Sequence, residues 1–487
     1  MKFNKPTKGQ AKTINYEGAT SYKTDAKTEL ISRVLCSLVG EKKFYISGEK
    51  SNEELVALLK EVANQDPEFC LKLAAYARNE MYLRSVPQLI LVEMANHPKV
   101  KKTGYVVKYA PYIIKRADEI TEVIAYQLTK FNKPIPNSLK KAIAESFNRF
   151  DAYQLAKYNR GGAVELRDAM FLCHPKPKDK IHEEIFKKLA DQTLEPPETW
   201  EVVISTKGST KENWEAIIPK MGVMATLRNL RNFLLKDVNL EPVIARLTNP
   251  EKVKNSKQLP FRFLAAYREV EKIATPKTQL VLEAIAKAME LSIVNLPKLE
   301  GYTCIAVDNS GSMNSPLSER SSMEYRDIAA TMGAALNKIS NSIVVVFSDD
   351  AHFLTLNRSN DILSNVDRIL SSCNPSSTNA YRVPQLLREK KIKIDRLILL
   401  SDMQCWDSSE RGNQIFASDF REYKNKINPN CWLYSVDLAG YGKGVQVPQG
   451  EKNTVLLAGW SDRIFDFIAN WEANRESQVK LIDNYVA

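Results

Sequence analysis

Three oxygen-bearing side chains follow a run of apolar residues at alternate positions. The stretch CIAVDNSGSM places Asp308, Ser310 and Ser312 two residues apart. This alternation turns one carboxylate and two hydroxyl groups toward a common point. Such hard oxygen ligands of low total charge suit Mg²⁺, which retains some of its waters. Gly311 allows the loop to fold tightly around an ion. The stretch therefore predicts part of a magnesium site.

Two later segments supply the remaining ligands of such a site. SSTNAY offers Thr378 in a polar loop before a helix, and LILLSDMQ ends a buried strand at Asp402, the counterpart of Asp308. In an open doubly wound sheet, ligands bind at the carboxyl ends of the strands. We therefore expect these side chains to meet at that edge. The alternative is a Ser/Asn-rich turn that caps the helix predicted to begin near Ser321.

The elements that must position these residues begin near residue 298. Near-continuous runs of Ile, Val and Leu alternate there with helical patterns, which indicates a parallel sheet covered by helices on both faces. The closing helix is predicted in SDRIFDFIANWEANRES. The predicted strands are YTCIAV, SIVVVFS, RLILLS, CWLYSVDL and TVLLAG.

The preceding part of the chain has helical periodicity throughout. SNEELVALLKEV begins with a predicted capping box of Ser51 and Glu54, and DPEFCLKLAAYARNE opens with Asp66 as N-cap and Pro67 at the first helical position. Many amphipathic helices without strands indicate an α-solenoid, with a plain helical bundle as the alternative. The fold class is therefore α + α/β. The predicted domains are an N-terminal segment (1–24), a helical repeat domain (25–297) and a doubly wound domain (298–487).

The positive charge of the chain is concentrated in its helical part. The net charge is +11, but the residues from Gly301 onward hold 20 basic and 22 acidic side chains, against 49 and 36 before that point. This asymmetry indicates a polyanionic partner for the helical part, with a solvated basic surface as the alternative.

The sequence contains no recognisable catalytic machinery. None of its four histidines lies in a metal-ligand or triad signature, and no phosphate-binding G-x-x-x-x-G-K-[ST] loop is present. A single metal without a nearby general base would make a poor nuclease. We therefore expect a protein that is not an enzyme.

Location is inferred from what the sequence lacks. The first thirty residues contain no apolar segment typical of a secretory signal, and no run is long enough to span a membrane. The seven cysteines are scattered and lack the spacing of zinc sites. A cytoplasmic protein with reduced cysteines and no membrane partner is the expectation.

The motif DNSGSM, together with Thr378 and Asp402, resembles the metal-ion-dependent adhesion site of von Willebrand A domains. The resemblance implies that Ser310, Ser312 and Thr378 coordinate Mg²⁺ or another divalent cation directly. It also implies that Asp308 and Asp402 act largely through bound waters.

Several helical stretches resemble the TROVE domain of the Ro autoantigen family, whose members pair this module with a von Willebrand A domain. The resemblance covers roughly residues 25 to 485 and implies a ring of HEAT-like repeats joined to a Rossmann-like domain. The stretches are FYISGEKSNEELVALL, SLKKAIAESFNRF, LAKYNRGGAVELRDAMFLCHPKP, MGVMATLRNLRNFLL and LPFRFLAAYREV.

The function implied by this resemblance is RNA binding in ribonucleoprotein particles. Small noncoding Y-like RNA would bind the basic outer surface, and single-stranded 3′ ends of misfolded RNA would enter a central hole for RNA quality control. The resemblance also implies an exoribonuclease partner, and ring closure within one chain predicts a monomer. The alternative is a metal-dependent protein-binding scaffold that uses the von Willebrand A domain.

The resemblance also identifies candidate RNA-binding residues. NRGGAVEL departs from the more basic version of this segment in the family, and His174 has the alternative interpretation of a helix-terminal histidine with a local hydrogen bond. The cluster KYAPYIIKR (108–116) mixes tyrosines with basic residues, and we interpret its tyrosines as edges of the core. The candidates are Lys140, Lys141, Lys157, Arg160, Arg167, His174, Arg228 and Arg231.

Overall fold

The computed structural model describes most of the chain. None of the described helices is both long and apolar enough to cross a membrane. All seven cysteines are among the described residues, and none forms a disulfide. The described residues are 12–15, 19–36, 48–159, 162–317, 321–374, 376–408, 415–441, 445–448, 451–459, 464–465, 468–469 and 478–485.

Helices dominate the part of the chain before residue 298. Many of them begin at a residue whose side chain accepts a hydrogen bond from the first turn, as Asp66 does from Phe69 N at 3.1 Å. The helices of this part are α1 Ala26–Leu35, α2 Gly48–Gln65, α3 Pro67–Asn79, α4 Ser85–Asn96, α5 Tyr105–Ile113, α6 Asp118–Phe131, α7 Asn137–Phe147, α8 Ala152–Tyr158, α9 Leu166–Cys173, α10 Lys180–Ala190, α11 Trp200–Lys207, α12 Lys211–Ile217, α13 Val223–Leu235, α14 Glu241–Leu247, α15 Pro250–Ser256, α16 Pro260–Glu271 and α17 Thr278–Ser292.

The later part alternates strands with helices. A short antiparallel hairpin near the amino terminus, β1 Lys12–Ile14 and β2 Thr20–Tyr22, precedes all of these elements. The later elements are β3 Thr303–Asp308, α18 Tyr325–Ile339, β4 Ser342–Phe347, β5 Ala351–Leu354, α19 Ile362–Leu370, α20 Arg382–Glu389, β6 Arg396–Ser401, α21 Phe416–Lys426, β7 Trp432–Asp437, β8 Thr454–Ala458 and α22 Gln478–Asp483.

The six later strands form one sheet in the order β5-β4-β3-β6-β7-β8. All neighbours pair in parallel except β4 and β5, which form an antiparallel edge. Strand β3 is buried along its whole length, as expected for a central strand with helices on both faces. The chain leaves β3 toward β4 and later returns on the other side to β6. The switch point of the sheet therefore lies between β3 and β6.

The chain divides into two compact units. One contains Met1–Ser51 and Gly222–Gln478, and the other contains Asn52–Met221 and Val479–Ala487. The domain boundary expected near 298 separates helical from strand-rich sequence inside the first unit, and it stays a prediction about domain organisation. We call these the sheet unit and the helical unit.

Within the sheet unit, the helices α16 and α17 pack against α18 and α19. Arg268 donates from Nη1 to the buried Asp327 Oδ2 at 2.6 Å. Glu290 pairs with Lys338 at 2.8 Å and accepts a hydrogen bond from Ile362 N at the start of α19. These contacts explain why α13 to α17 belong to the same unit as the sheet.

The structure differs from the sequence-based predictions in one helix start and in three short strands. Helix α2 already begins at Gly48, so Ser51 lies inside the helix and does not cap it. The antiparallel strand β5 and the β1–β2 hairpin were not expected, because three- and four-residue strands leave little periodicity in a sequence. The predicted closing helix SDRIFDFIANWEANRES lies largely outside the described residues.

Candidate functional site

The five predicted metal ligands lie on three loops at the carboxyl edge of the sheet. Asp308 is the last residue of β3, and Ser310 and Ser312 follow in a short 3₁₀ turn. Asp402 comes directly after β6, the parallel neighbour of β3. Thr378 lies in the loop between α19 and α20. This edge is the switch point of the sheet, where doubly wound folds bind their ligands.

Hydrogen bonds tie the three loops together. The Ser401 hydroxyl donates to Asp308 Oδ2 at 2.6 Å and so links the ends of β6 and β3. The backbone N–H of Gly311 donates to Ser376 O at 2.8 Å, and that of Trp406 donates to Thr378 O at 2.8 Å. Each loop is therefore joined to another by a direct bond.

The arrangement fits a small divalent cation. The Oγ atoms of Ser310 and Ser312 lie 3.4 Å apart, as two hydroxyl ligands on one ion do. Asp402 Oδ2 is buried and has no hydrogen-bond partner among the described residues. A buried carboxylate oxygen without a partner is costly unless a cation or water satisfies it. In the described part of the chain, no three His, Cys, Asp or Glu side chains could hold a metal ion together, so this site depends on hydroxyl ligands.

The electrostatics of the site also fit a bound cation. Asp308 and Asp402 are at most 1% exposed. Burial raises the pKa of Asp308 to about 6, although hydrogen bonds from Ser310 and Ser401 oppose the shift. Burial and the nearby charge of Asp308 raise the pKa of Asp402 to about 8. Two carboxylates in this position favour either a proton or a cation between them.

The alternative interpretation of the Ser-rich stretch as a helix cap is wrong. Helix α18 begins at Tyr325, and its capping box is formed by Glu324 and Asp327. The Glu324 side chain accepts from the N–H of Asp327, and the Asp327 side chain accepts from the N–H of Glu324. The helix is thus capped without Ser310, Ser312 or Ser321.

Three residues that hold the site in place were not identified from the sequence. Ser401 precedes Asp402 in LILLSD, and its polarity at the end of a buried strand was an available signal. Asn379 donates to Asp349 O at 2.7 Å and to Ser408 Oγ at 2.6 Å, which fixes the loop that carries Thr378. No local pattern could have indicated these partners, because they lie about 30 residues away.

The third of these residues is Asn15, which comes from the amino-terminal hairpin. Its Nδ2 donates to Cys405 O at 2.7 Å, three residues after Asp402. Its Oδ1 accepts from Ala19 N at 2.9 Å and closes the turn between β1 and β2. Asn15 is buried. The hairpin thus braces the loop that follows β6.

In the helical unit, the structure brings together the ends of α7 and α9. Lys140 lies close enough to Cys173 to lower the pKa of its thiol, against the dominant effect of burial, which raises that pKa. His174 is exposed and ends α9 with a φ of 50°, its N–H donating to Met170 O. This geometry agrees with the interpretation of His174 as a helix-terminal histidine. Lys141 pairs weakly with Glu145 at 3.9 Å.

The other candidates of this unit contact exposed aromatic rings. Lys157 Nζ lies 5.8 Å from the ring centroid of Tyr153, and the Arg167 guanidinium carbon lies 5.6 Å from that of Phe171. Tyr153 and Phe171 are 53% and 52% exposed. Exposed rings beside cations are typical of single-stranded nucleic-acid surfaces. Arg160 lies outside the described residues.

The remaining two candidates, Arg228 and Arg231, lie in the sheet unit on α13. Both are exposed and three residues apart, opposite the face that buries Leu227, Leu230 and Phe233. Neither has a described carboxylate within 4 Å, although the charge of Arg231 helps to lower the pKa of Glu269. Two exposed arginines on one helical face are suited to phosphate contacts.

Two protein-family models match the chain, and together they cover most of it. The TROVE domain matches residues 10–196 and 191–332. The Ro60 vWA domain matches residues 302–471 and contains all five predicted metal ligands.

Individual relatives are more distant. The chain is 25% identical to rat telomerase protein component 1 over 299 residues, which is 44% of this chain and 11% of that protein. It is 24% identical to the RNA-binding protein RO60 of Caenorhabditis elegans over 221 residues, which is 42% of this chain and 33% of that protein. The matched segments thus span a third or less of these relatives.

One solved structure shares the fold over nearly the whole chain. The crystal structure of the Deinococcus radiodurans RO (RSR) protein superposes with a TM-score of 0.67. The superposition covers 92% of this chain and 100% of the other, at 17% sequence identity. This likeness supports the predicted combination of a helical repeat region with a von Willebrand A-like sheet.

Proposed function

Because the chain belongs to the Ro family of TROVE-domain proteins, we propose that it is an RNA-binding protein of ribonucleoprotein particles. Its ligands are a small noncoding Y-like RNA and the single-stranded 3′ ends of misfolded structured RNA, which it selects for quality control or degradation. The observation that carries this proposal is the match of the TROVE domain to the part of the chain that holds the excess positive charge. Lysines and arginines bind phosphates with little sequence preference, as a surveillance protein requires.

The site residues divide between two kinds of RNA contact in this proposal. Lys140, Lys141, Lys157, Arg167 and His174 contact RNA from the helical unit, with Arg160 assigned to the same surface by sequence. Arg228 and Arg231 contact the single-stranded end. A cytoplasmic monomer that hands RNA to an exoribonuclease completes the proposal, and the chain itself is proposed to carry no catalytic activity.

The first experiment is an electrophoretic mobility shift with two RNAs of equal charge. One is a short duplex with a 3′ single-stranded tail, and the other is a blunt duplex. We expect the wild type to bind the tailed RNA more tightly and the variant Arg228→Ala/Arg231→Ala to lose this preference. Lys252→Ala/Lys254→Ala removes the same charge from the exposed side of α15 and serves as the control. Equal weak binding of both RNAs by the wild type and both variants contradicts the proposal.

The magnesium site is part of the proposed function. Ser310, Ser312 and Thr378 hold the cation directly, and Asp308 and Asp402 hold its waters. Bound Mg²⁺ supplies the positive charge that neutralises the two carboxylates. The role of the ion is then to fix the three loops at the carboxyl edge of the sheet.

A second candidate function is metal-dependent binding of another protein. The nearly complete oxygen ligand set favours it, since Mg²⁺ held by few protein ligands keeps a position for an outside carboxylate. The burial of the ligands argues against it, because Ser312, the most exposed of the five, is only 4% exposed. A partner's carboxylate must therefore move the surrounding loops to reach the ion. RNA binding remains the primary proposal.

A further inference from the structure

Cations and tyrosine rings alternate on one part of the helical unit, around the sequence-identified candidate Lys157. The Arg116 guanidinium carbon lies 4.4 Å from the ring centroid of Tyr158. Lys157 Nζ lies 5.6 Å from the same ring and 5.8 Å from that of Tyr153. Residues from the α5–α6 connection and from α8 thus form one continuous surface. We call these four residues, together with Lys115 and Arg149, the cation–tyrosine strip.

Lys115 and Arg149 are held close together with the same charge. Burial is the main cause that lowers the pKa of Lys115. The positive charges of Arg149 and Arg78 lower it further, and the carboxylate of Glu119 opposes them. Both side chains are exposed, and neither has a described carboxylate within 4 Å. The carboxylate of Glu119 attracts both side chains, but it is already bonded to Arg78 and to the backbone of Lys115 and Arg116. A bound anion would therefore further stabilise these two like charges.

The backbone that carries Lys115 and Arg116 is fixed by a buried carboxylate. Glu119 is fully buried, and its Oε2 accepts hydrogen bonds from Lys115 N at 2.7 Å and Arg116 N at 3.1 Å. Its Oε1 accepts from Arg78 at 2.8 Å. Glu119 therefore binds the backbone of this bend and leaves the Lys115 side chain available. Arg116 is held by Asp118 through two bonds of 3.0 and 2.7 Å, which orient its guanidinium beside Tyr158.

The helix dipoles explain why the fold tolerates this charge, but they do not satisfy it. Lys115 and Arg149 each lie two residues after the last residue of a helix, α5 and α7. Cations are stabilised near helix C-termini by the helix dipole. The dipole stabilises the charge but accepts no hydrogen bond from the side-chain N–H groups.

We propose that the cation–tyrosine strip binds a single-stranded RNA segment, with phosphates on Lys115, Arg149 and Lys157 and an unpaired base stacked on Tyr153. This inference rests on the proposed function and specifies which surface of the helical unit meets single-stranded RNA. The open ring of Tyr153 selects this ligand, because the bases of a duplex are already stacked on one another. An acidic peptide would use the cations and have no need of the ring.

The phosphate contacts are tested by fluorescence anisotropy with labelled decauridine and with a blunt duplex. We expect Lys115→Ala/Arg149→Ala to bind decauridine about tenfold more weakly than wild type. The slope of log K against log salt should fall by about 1.4, since a single strand contributes about 0.7 per phosphate. The control Lys187→Ala/Lys188→Ala removes two exposed lysines from α10 of the same unit. It should bind within about twofold of wild type, and melting by circular dichroism verifies that both variants fold.

The stacking contact is tested separately from the charge. Tyr153 is exposed, so its replacement should leave the fold intact. Tyr153→Leu should weaken decauridine binding about fivefold or more with an unchanged salt slope, and Tyr153→Phe should bind like wild type. A decamer with abasic sites should not distinguish Tyr153→Leu from wild type.

The outcomes separate this inference from the proposed function. If wild type binds tailed RNA but the Lys115/Arg149 and Lys187/Lys188 variants bind decauridine equally, the strip is not the site and the proposed function stands. If the strip variant loses duplex and decauridine affinity by the same factor, the assignment to single strands is wrong. If wild type binds no RNA, both proposals fail.

Discussion

At the scale of single residues, the chemistry centres on two buried carboxylates with raised pKa values. Asp308 and Asp402 lie at the ends of neighbouring parallel strands, and the charge of Asp308 raises the pKa of Asp402. The sequence places hydroxyl groups around them and no basic side chain within the same motif. The site therefore carries negative charge that only a proton or a metal ion can balance locally.

The first prediction is a pH dependence of stability with a definite sign. The pKa values of Asp308 and Asp402 are raised to about 6 and about 8, so the folded state binds protons that the unfolded state releases. With a chelator present, the contribution of this pair to the free energy of unfolding should be greatest at low pH and should fall as pH rises from about 5 to 8.5. We expect a loss of about 2 kcal/mol or more.

Magnesium should reverse this loss where the carboxylates are ionised. The shift in Tm produced by Mg²⁺ should be large at pH 8.5 and small at pH 5.5. Differential scanning fluorimetry at both values measures this, with Asp402→Asn as the variant that flattens the pH dependence. An equal magnesium shift at both pH values would refute the coupling of ion and proton at this site.

At the scale of elements, the sheet unit depends on contacts between segments that are far apart in sequence. The Arg268–Asp327 pair joins α16 to α18, and Asp327 is fully buried. Removing one partner of such a pair leaves an uncompensated charge in the interior. The loss is therefore larger than the net value of the intact pair.

We predict that Arg268→Ala destabilises the sheet unit by about 3 kcal/mol. The control is Arg326→Ala, which removes an arginine of α18, the helix of Asp327, that pairs with Glu324 near the surface. Because both members of that pair are partly exposed, the control should lose less than about 1 kcal/mol. Urea unfolding followed by fluorescence measures both. A smaller loss for Arg268→Ala than for Arg326→Ala would contradict the buried role of the pair.

The amino-terminal hairpin gives a second prediction at this scale. Asn15 links the hairpin to Cys405 O in the loop that follows Asp402. Asn15→Ala should cost about 1–2 kcal/mol, because the partly buried carbonyl of Cys405 loses its donor. It should also reduce the Tm shift produced by Mg²⁺ at pH 8.5.

The neighbouring substitution Thr13→Ala lies within β1 and serves as the control for Asn15→Ala, because no described side-chain hydrogen bond involves Thr13. It should change neither the stability nor the magnesium response by a measurable amount. If both variants respond to Mg²⁺ like wild type, the hairpin does not position the metal loops.

At the scale of the whole molecule, the chain contributes its last residues to the unit formed by residues 52–221. The Tyr485 ring lies edge to face with Tyr76 at 5.5 Å, and its hydroxyl donates to Glu80 Oε1 at 3.2 Å. Lys72 Nζ donates to Asp483 O at 2.5 Å. Each unit is therefore built from two separate stretches of the chain.

We predict that deletion of residues 479–487 destabilises the helical unit although it removes no residue of its helical repeats. The loss should be about 2 kcal/mol or more, since an aromatic pair and two hydrogen bonds disappear. Hydrogen exchange in α3 measures the effect directly. Tyr485→Phe, which retains the ring, should protect α3 nearly as well as wild type, whereas Tyr485→Ala should not. Unchanged exchange after the deletion would show that this segment contributes nothing to the unit.

The sequence by itself determined the features that arise from short stretches of chain. The alternation of Asp308, Ser310 and Ser312 after an apolar strand identified the loop. The five main strands were predicted because buried parallel strands are continuous apolar runs. The predicted N-cap at Asp66 was confirmed. Its side chain and the N–H of Phe69 that donates to it lie within one turn, so a short stretch of sequence is enough to indicate the cap. Ser51 failed as a cap because helix α2 extends one turn further back than the motif indicated.

The tertiary structure alone decided which distant segments share a unit and which side chains meet. Ser401 with Asp308, Asn15 with Cys405, Arg268 with Asp327 and Arg116 with Tyr158 are contacts across 42 to 390 residues. Hydrophobic periodicity reports only which face of an element is buried, and it carries no information about the partner on that face. The oxygen ligands of the metal site are therefore visible in the sequence, whereas the bracing of that site and the cation–tyrosine strip exist only once the chain has folded.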